Sequence, residues 1–301
     1  METDSPPTPP GKLRALLILG RVSNLPTVWS NCLAAWWLAG GGAWDRFVLL
    51  CIGATLVYLG GMYLNDARDV EWDRAHRNER PIPTGAVQER EVWIWTMGLL
   101  SAGTFSFFAF GRMASIYAVA LLLAVVLYNT FHKQISWSPI LMALCRFFLF
   151  LAAGASADGT GDPESWGLVV WTAIVLGLYI VGLTYVAKHE SIPGVLRYWP
   201  CILLAAPIVL ATIINAGEHR FIGAAFSLVM GGWTIWKVSH TLGGGKKPQI
   251  GRTVSGLLAG IVWVDALAVV GGLADGAPWL SGVFVALFGL ALLFQRFIPA
   301  T

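Results

Sequence analysis

The sequence predicts an all-α protein, a polytopic transmembrane bundle of nine to ten helices. Of its 301 residues, 56% are hydrophobic and only 12% are charged, and the mean hydropathy is +0.66. Soluble proteins are about a quarter charged. Apolar runs of membrane-spanning length recur along the whole chain. Inside a bilayer such runs must be helical, because no water is present to satisfy the backbone.

Ten apolar runs reach or approach the roughly 20 residues that cross a hydrocarbon core about 30 Å thick. They are residues 15–39, 47–64, 92–110, 113–130, 139–156, 166–187, 195–215, 221–239, 253–274 and 279–297. The last two are the weakest, so nine spans are also compatible with the pattern. We predict one membrane domain over residues 14–301, preceded by a Pro-rich cytoplasmic tail, residues 1–13, that we expect to be disordered.

Lysine and arginine are distributed unevenly between the two sides of the predicted bundle. If the N-terminus is cytoplasmic, 16 of the 20 basic residues fall on that side, three (Arg46, Arg112 and Arg220) on the other, and Arg146 within a span. The positive-inside rule therefore places the N-terminus and the charged loop, residues 65–91, in the cytoplasm. The net charge of +3 follows from this asymmetry, and no nucleic-acid partner is expected. The compact chain without a transit peptide favours a bacterial inner membrane.

Charge is concentrated in residues 65–85, NDARDVEWDRAHRNERPIPTG, directly after the second run. If that helix continues to Arg74, each residue turns by about 100°. Four residues then share one face: Asn65, Asp66, Asp69 and Asp73. Glu71 points away from that face. Such neighbouring carboxylates repel each other unless a cation binds between them.

The ligand types on this face favour one kind of cation. They are all oxygen donors, no cysteine is present, and His76 lies off the face, so Mg²⁺ fits better than zinc. A second interpretation stays open, in which the loop is simply solvated and its acids pair with Arg68, Arg74 and Arg77. We expect chemistry at this end of the bundle.

We call the four residues Asn65, Asp66, Asp69 and Asp73 the stripe. The residues that follow it make the pattern more specific. The spacing Asn65-Asp66-x-x-Asp69-x-x-x-Asp73, followed by Arg80-Pro81-Ile82-Pro83-x-Gly85, resembles the first aspartate-rich motif of the UbiA family of intramembrane prenyltransferases. Its position after the second helix also agrees. Further residues similar to the family are Arg21-x-x-Asn24, Tyr128-x-x-x-x-Lys133 and Arg146. The family's second aspartate-rich motif is not matched, because residues 184–191, TYVAKHES, offer only Glu190 as a carboxylate.

The resemblance implies transfer of a polyprenyl group from a prenyl diphosphate to a lipophilic, aromatic acceptor, with Mg²⁺ as cofactor. It implies catalytic roles for Asp69, Asp73 and Lys133, substrate binding by Arg21, Asn24, Arg80, Tyr128 and Lys188, and metal binding by Asn65, Asp66, Asp69 and Asp73. Asn24 and Tyr128 suit interhelical hydrogen bonds equally well, and Lys188 equally suits a basic membrane anchor.

Asp265 is an ionisable residue in the middle of an apolar run, where such residues are functional or paired. We expect a structural role, with Arg146 as its counter-charge. Two other functions stay open. A family member that binds an isoprenoid lipid without transferring it would explain the unmatched second motif. A transporter would use Asp265 and Arg146 as a coupling pathway, but the sequence has no inverted repeat of the kind transporters show.

Overall fold

The computed structural model describes residues 11–159, 162–188, 199–214, 220–242, 250–270 and 277–300, and every regular element in these ranges is helical. The α-helices are α1 Lys12–Leu19, α2 Leu25–Leu38, α3 Trp44–Arg68, α4 Val70–His76, α5 Glu89–Ser106, α6 Arg112–Phe131, α7 Ser138–Gly154, α8 Pro163–Lys188, α9 Ala206–Ile214, α10 Arg220–Leu242, α11 Ile250–Ala268 and α12 Trp279–Gln295. Short 3₁₀ helices cover Val22–Asn24, Phe107–Phe110 and Trp199–Ala205. The prediction of an all-α bundle is confirmed.

Every one of the ten predicted runs contains a helix. Within the described ranges, six helices are long and apolar enough to cross a membrane: α3, α5 with the following 3₁₀ turn, α6, α8, α10 and α11. Three shorter apolar helices lie at Ser138–Gly154, Cys201–Ile214 and Trp279–Gln295. Residues 1–10 of the predicted tail lie outside the described residues, and α1 already begins at Lys12.

The first predicted run is not one helix, because the chain breaks at Arg21. Its backbone has φ 41° and ψ 48°, and among the described residues no other non-glycine residue has a positive φ. This left-handed conformation costs an L-residue roughly 1–2 kcal/mol. The Tyr58 hydroxyl and the Asn24 backbone N–H both donate to the Arg21 carbonyl, at 3.4 and 3.0 Å. The break therefore has partners that hold it in place.

Helices α3 and α5 pack backbone to backbone through glycines. A Cβ added at Gly103 would lie 2.7 Å from the Val57 backbone nitrogen, and one at Gly60 would lie 2.8 Å from Leu100 Cγ. Small residues permit such close approach between membrane helices. Besides α5, helix α3 packs against α2 and α6.

The segment after α4 folds back as a compact turn. The N–H groups of Thr84 and Gly85 donate to the carbonyls of Arg80 and Ile82, each at 3.0 Å, and Gly85 has φ 76°. Ile82 and Val87 are buried in a small apolar cluster with residues of α1, α3 and α5. This cluster fixes the turn, and with it Arg80, beside the end of α3.

A buried polar network joins three helices in the middle of the bundle. Arg146 of α7 donates to Asn31 Oδ1 of α2 at 2.6 Å, and Asn31 Nδ2 donates to both carboxylate oxygens of Asp265 in α11, at 2.8 Å. Ser30 Oγ donates to Asp265 at 2.5 Å. The expected counter-charge is therefore present, but it is linked to Asp265 through Asn31.

Candidate active site

The charged stripe begins inside α3 and ends inside α4, and Asp69 separates the two helices. Asp69 has φ −91° and ψ 0°, so the predicted continuous helix over residues 65–74 is interrupted there. Helical hydrogen bonds reach Asp69 from both sides, from Asp69 N–H to the Asn65 carbonyl (3.0 Å) and from Asp73 N–H to the Asp69 carbonyl (2.8 Å). Aspartate favours such helix ends.

The Asp69 carboxylate is bound by the end of α6. Lys133 Nζ lies 2.6 Å from Asp69 Oδ1, and His132 Nε2 lies 3.7 Å from Oδ2. Lys133 also lies 4.9 Å above the ring of Trp72. Burial by itself raises the pKa of Asp69, but hydrogen bonds from His132 and Lys133 outweigh it, so the pKa is below its usual range. The carboxylate is ionised at neutral pH.

Asp66 is held by two guanidinium groups. It is only 3% exposed, and its Oδ1 lies 3.3 Å from Arg80 Nη1 and 3.7 Å from Arg21 Nη2. The same Arg21 nitrogen donates to Asn65 Oδ1 at 3.3 Å. Asp66 is therefore matched by two arginines, as Asp69 is by Lys133.

Asp73 is the opposite case. It is 5% exposed, and its carboxylate makes no hydrogen bond or ion pair with any described residue. Burial raises its pKa and the nearby Asp69 carboxylate adds to the rise, while the charges of Arg80, Arg77 and Lys133 oppose it. A buried carboxylate without a direct ion pair fits a cation site.

The donor set can be compared with what Mg²⁺ requires. Within the ranges that the structure describes, no three carboxylate, histidine or cysteine side chains come close enough to hold a metal by themselves. Mg²⁺ generally takes one or two carboxylates and fills its other positions with water and substrate phosphate oxygens. Asp69 and Asp73, with the amide oxygen of Asn65, fit that requirement.

A cavity of about 70 Å³ opens beside these groups, between α3, α6 and α7. Tyr128 and Asn129 line the end nearest the stripe, and Tyr58 and Arg146 line its wall further into the bundle. The rest of its lining is apolar apart from Cys145: Ala54, Val57, Gly61, Met62, Leu121, Val125, Met142, Cys145 and Leu149. Charged groups that suit a diphosphate thus adjoin an apolar space that suits a hydrocarbon chain.

Comparisons with known proteins identify the family. The model of the UbiA prenyltransferase family matches residues 23–248, three quarters of the chain. The chain belongs to the UbiA prenyltransferase family. It is therefore a prenyltransferase and an integral membrane protein, and the family resemblance of the sequence is confirmed.

Curated relatives of this UbiA protein include enzymes with two different names. The chain is 26% identical to a protoheme IX farnesyltransferase of Pyrobaculum neutrophilum over 268 residues, which cover 85% of this chain and 90% of the relative. It is 36% identical to a digeranylgeranylglyceryl phosphate synthase of Ignicoccus hospitalis, over 71% of this chain and 61% of the relative.

Solved structures agree with the fold. A digeranylgeranylglyceryl phosphate synthase structure superposes with a TM-score of 0.55 at 19% identity, over 96% of this chain and 98% of that one. An Archaeoglobus fulgidus UbiA homologue bound to DMAPP and Mg²⁺ gives a TM-score of 0.50 at 14% identity, over 94% and 97%.

Not every predicted site residue of this UbiA chain joins the cluster. Asn24 is buried, and its side-chain nitrogen donates to the Ala300 carbonyl at 3.0 Å, not to the stripe. Tyr128 stacks on His132, with ring centroids 5.1 Å apart. Lys188 is the last described residue of α8, and its side chain, like Glu190 in the segment 189–198, lies outside the described residues.

Three residues at the site were not predicted from the sequence. Asn129 accepts a hydrogen bond from Asn65 Nδ2 at 3.0 Å, His132 approaches Asp69, and Trp72 lies under Lys133. A signal existed for the first two. Asn129 directly follows Tyr128, and His132 lies one helical turn after Tyr128 on the same face, next to Lys133.

Proposed function

We propose that the protein is a Mg²⁺-dependent enzyme that moves a polyprenyl group from its diphosphate to a lipophilic, aromatic acceptor. The observation that carries this proposal is a cluster of two carboxylates, Asp69 paired with Lys133 and Asp73 without an ion pair, near an apolar cavity whose lining residue Asn129 bonds to Asn65. The names of the relatives, which include a farnesyltransferase and a digeranylgeranylglyceryl phosphate synthase, support transfer of a prenyl group to a lipophilic acceptor. So does the homologue bound to DMAPP and Mg²⁺.

Each charged residue has a role in this proposal. Lys133, Arg80 and Arg21 bind diphosphate oxygens, and Lys188 is a further candidate. Asp66 holds Arg21 and Arg80 in position. Asn65, Asp69 and Asp73 would hold Mg²⁺, which when bound neutralises the diphosphate and makes it a better leaving group.

The transfer itself breaks one bond and forms one. The bond between prenyl C1 and the diphosphate oxygen breaks, and its electron pair leaves with the diphosphate. A nucleophilic atom of the acceptor then bonds to C1 and gives up its proton. The allylic cation that develops at C1 must be shielded from water, and the apolar cavity does so. Tyr58 and Tyr128 line the cavity and would supply aromatic surface beside the developing charge.

The membrane gives the site its surroundings. We propose that the N-terminus and the site lie on the cytoplasmic side of a bacterial inner membrane, in accordance with the distribution of basic residues. Both the prenyl chain and a lipophilic acceptor would then enter from the bilayer.

The proposal is tested by prenyl transfer in membranes with labelled dimethylallyl, geranyl and geranylgeranyl diphosphates. The acceptor panel contains protohaem IX, geranylgeranylglyceryl phosphate and hydroxybenzoate. We expect Asp69→Ala and Asp73→Ala each to lower turnover at least 100-fold, a loss comparable to removing one key electrostatic group. Glu71→Ala is the matched control, because Glu71 is an exposed acid on the same helix as Asp73. Unchanged turnover in both aspartate variants would reject the proposal.

A further inference from the structure

We infer that Asn129 is a positioning residue that fixes the orientation of the Asn65 amide and so presents the Asn65 oxygen to the cation site. The inference rests on the proposed function, because it deepens the role of Asn65 as a ligand. Asn129 lies near the end of α6, is 5% exposed, and lines the cavity.

A relay of three groups carries the inference. The Val125 carbonyl can only accept a hydrogen bond, so the Asn129 side chain must turn its nitrogen toward it, and Nδ2 lies 2.9 Å from that oxygen. The Asn129 side chain therefore turns Oδ1 toward Asn65, and this oxygen accepts a hydrogen bond from Asn65 Nδ2 at 3.0 Å. The oxygen and nitrogen of an amide are told apart by such partners.

The far end of the relay is the cation site. With Nδ2 engaged by Asn129, Asn65 must direct Oδ1 the other way, where it accepts from Arg21 Nη2 at 3.3 Å. A flipped Asn65 would turn its NH₂ group toward Arg21 and toward any bound cation. An amide ligates Mg²⁺ only through oxygen. A carbonyl in α6 therefore sets which atom α3 offers to the site.

The position of Asn129 is otherwise unfavourable for a polar side chain. It lies in an apolar helix and on a largely apolar cavity wall, where its own amide is satisfied by the Val125 carbonyl and by Asn65. Groups that orient metal ligands from behind typically change metal affinity or activity 10- to 100-fold when removed. If Asn129 only linked α3 to α6, its removal would lower stability without changing metal affinity.

The experiment measures metal binding and not turnover. Purified protein in detergent is titrated with Mn²⁺, a paramagnetic substitute for Mg²⁺, in the presence of geranyl diphosphate, and free Mn²⁺ is followed by electron paramagnetic resonance. The variants are Asn129→Leu and Asn129→Asp, each in the Asn65 and the Asn65→Ala background. Thr130→Val is the matched control, because Thr130 also bonds to the carbonyl four residues earlier, at 2.8 Å, but lies off the relay.

Asn129→Leu is expected to raise the Mn²⁺ concentration for half-saturation about tenfold or more. Asn129→Asp, whose carboxylate still accepts from Asn65, is expected to recover most of that loss. Thr130→Val should bind like the wild type. In the Asn65→Ala background, the leucine and aspartate variants should be indistinguishable, because the relay ends at Asn65.

Several results would overturn the inference. One is an unchanged Mn²⁺ affinity in Asn129→Leu. Another is a difference in Mn²⁺ affinity between Asn129→Leu and Asn129→Asp that persists in the Asn65→Ala background. If Asn129→Leu does not fold, Asn129→Ala takes its place in both backgrounds and is compared with the aspartate variant in the same way. Failure of the wild type to bind Mn²⁺ with geranyl diphosphate would reject the proposed function, and this inference with it. Loss of binding in Asn65→Ala but not in Asn129→Leu would leave the proposed function standing and reject only the relay.

Discussion

Two carboxylates one helical turn apart have opposite electrostatic surroundings. Asp69 receives hydrogen bonds from Lys133 and His132, and its pKa is lowered despite burial, whereas burial raises the pKa of Asp73, which has no such donor. As the pH falls, Asp73 therefore takes up a proton before Asp69 does. The first carboxylate is held ionised by the protein, and the second depends on a cation from outside.

The Asp69–Lys133 pair makes a pH-dependent contribution to stability. Because the folded pKa of Asp69 is lowered, the pair stabilises the fold above the ordinary aspartate pKa of about 3.9, and this is lost as the pH falls through the folded value. Without added divalent cations, Lys133→Met should lower the unfolding temperature at pH 7, and the difference from wild type should shrink below about pH 4. A difference of equal size at pH 7 and at pH 3 would contradict the assignment.

Arg80 and Arg74 both lie between α3 and α5, but they should contribute differently to stability. Arg80→Met leaves the buried Asp66 with only the longer contact to Arg21, so we expect a loss of about 2 kcal/mol in the free energy of unfolding. Arg74 pairs with Glu89 at the surface, 3.1 Å away, and Arg74→Met should cost about 0.5 kcal/mol or less. Denaturation in detergent measures both, and equal effects would refute the distinction.

Part of the site could be predicted from residue spacing. The face shared by Asn65, Asp69 and Asp73, the exposure of Glu71, and the closeness of Lys133 to Asp69 follow from helical periodicity and the motif. The partners of Asp66 could not be predicted, because they depend on the break at Asp69 and on the turn that carries Arg80. The Asn65–Asn129 contact depends on how α3 and α6 pack, which a single sequence does not specify.

At the scale of elements, α3 carries most of the site because its other face is fixed against α5. Hydropathy predicted a helix in every run, since inside a membrane a long apolar stretch has no alternative. It did not predict the interruption at Arg21. No glycine or proline occupies that position, and the left-handed backbone is stabilised by Tyr58 from another helix. Tertiary contacts decided that boundary.

The glycine contact between α3 and α5 gives a matched pair of substitutions. At Gly103 an added Cβ would lie 2.7 Å from a backbone atom of α3, whereas at Gly98 on the same helix nothing lies within 4 Å. We expect Gly103→Ala to destabilise the protein by about 1–3 kcal/mol through overpacking. Gly98→Ala should be neutral or stabilising by up to about 1 kcal/mol. Thermal unfolding in detergent measures both, and equal effects would show that the helices do not pack as described.

At the scale of the whole molecule, the network of Arg146, Asn31 and Asp265 joins α7, α2 and α11. Its charges were predicted as a pair because each lies inside a span. The role of Asn31 between them was not predicted, because the sequence alone does not show which residue an asparagine in an apolar run will contact. The network connects the wall of the cavity to α11, on the far side of α2, so changes in it reach the site through packing.

Removing one charge from this network should lower the free energy of unfolding more than removing both. Arg146→Met leaves the Asp265 carboxyl buried without a counter-charge, and we expect a loss of about 3 kcal/mol. The double variant Arg146→Met with Asp265→Leu should be more stable than that single variant. Chemical denaturation of the two proteins and wild type makes the comparison. Additive losses in the double variant would show that the two residues are independent.

The proposed function requires a cation held between the protein and a prenyl diphosphate, and equilibrium binding tests this requirement most directly. Geranyl diphosphate is titrated into wild-type protein and Asp73→Ala by calorimetry, once in excess Mg²⁺ and once in EDTA. We predict that wild-type affinity falls at least tenfold in EDTA, and that Asp73→Ala binds weakly under both conditions. Equal affinity of the wild type with and without Mg²⁺ would contradict the account.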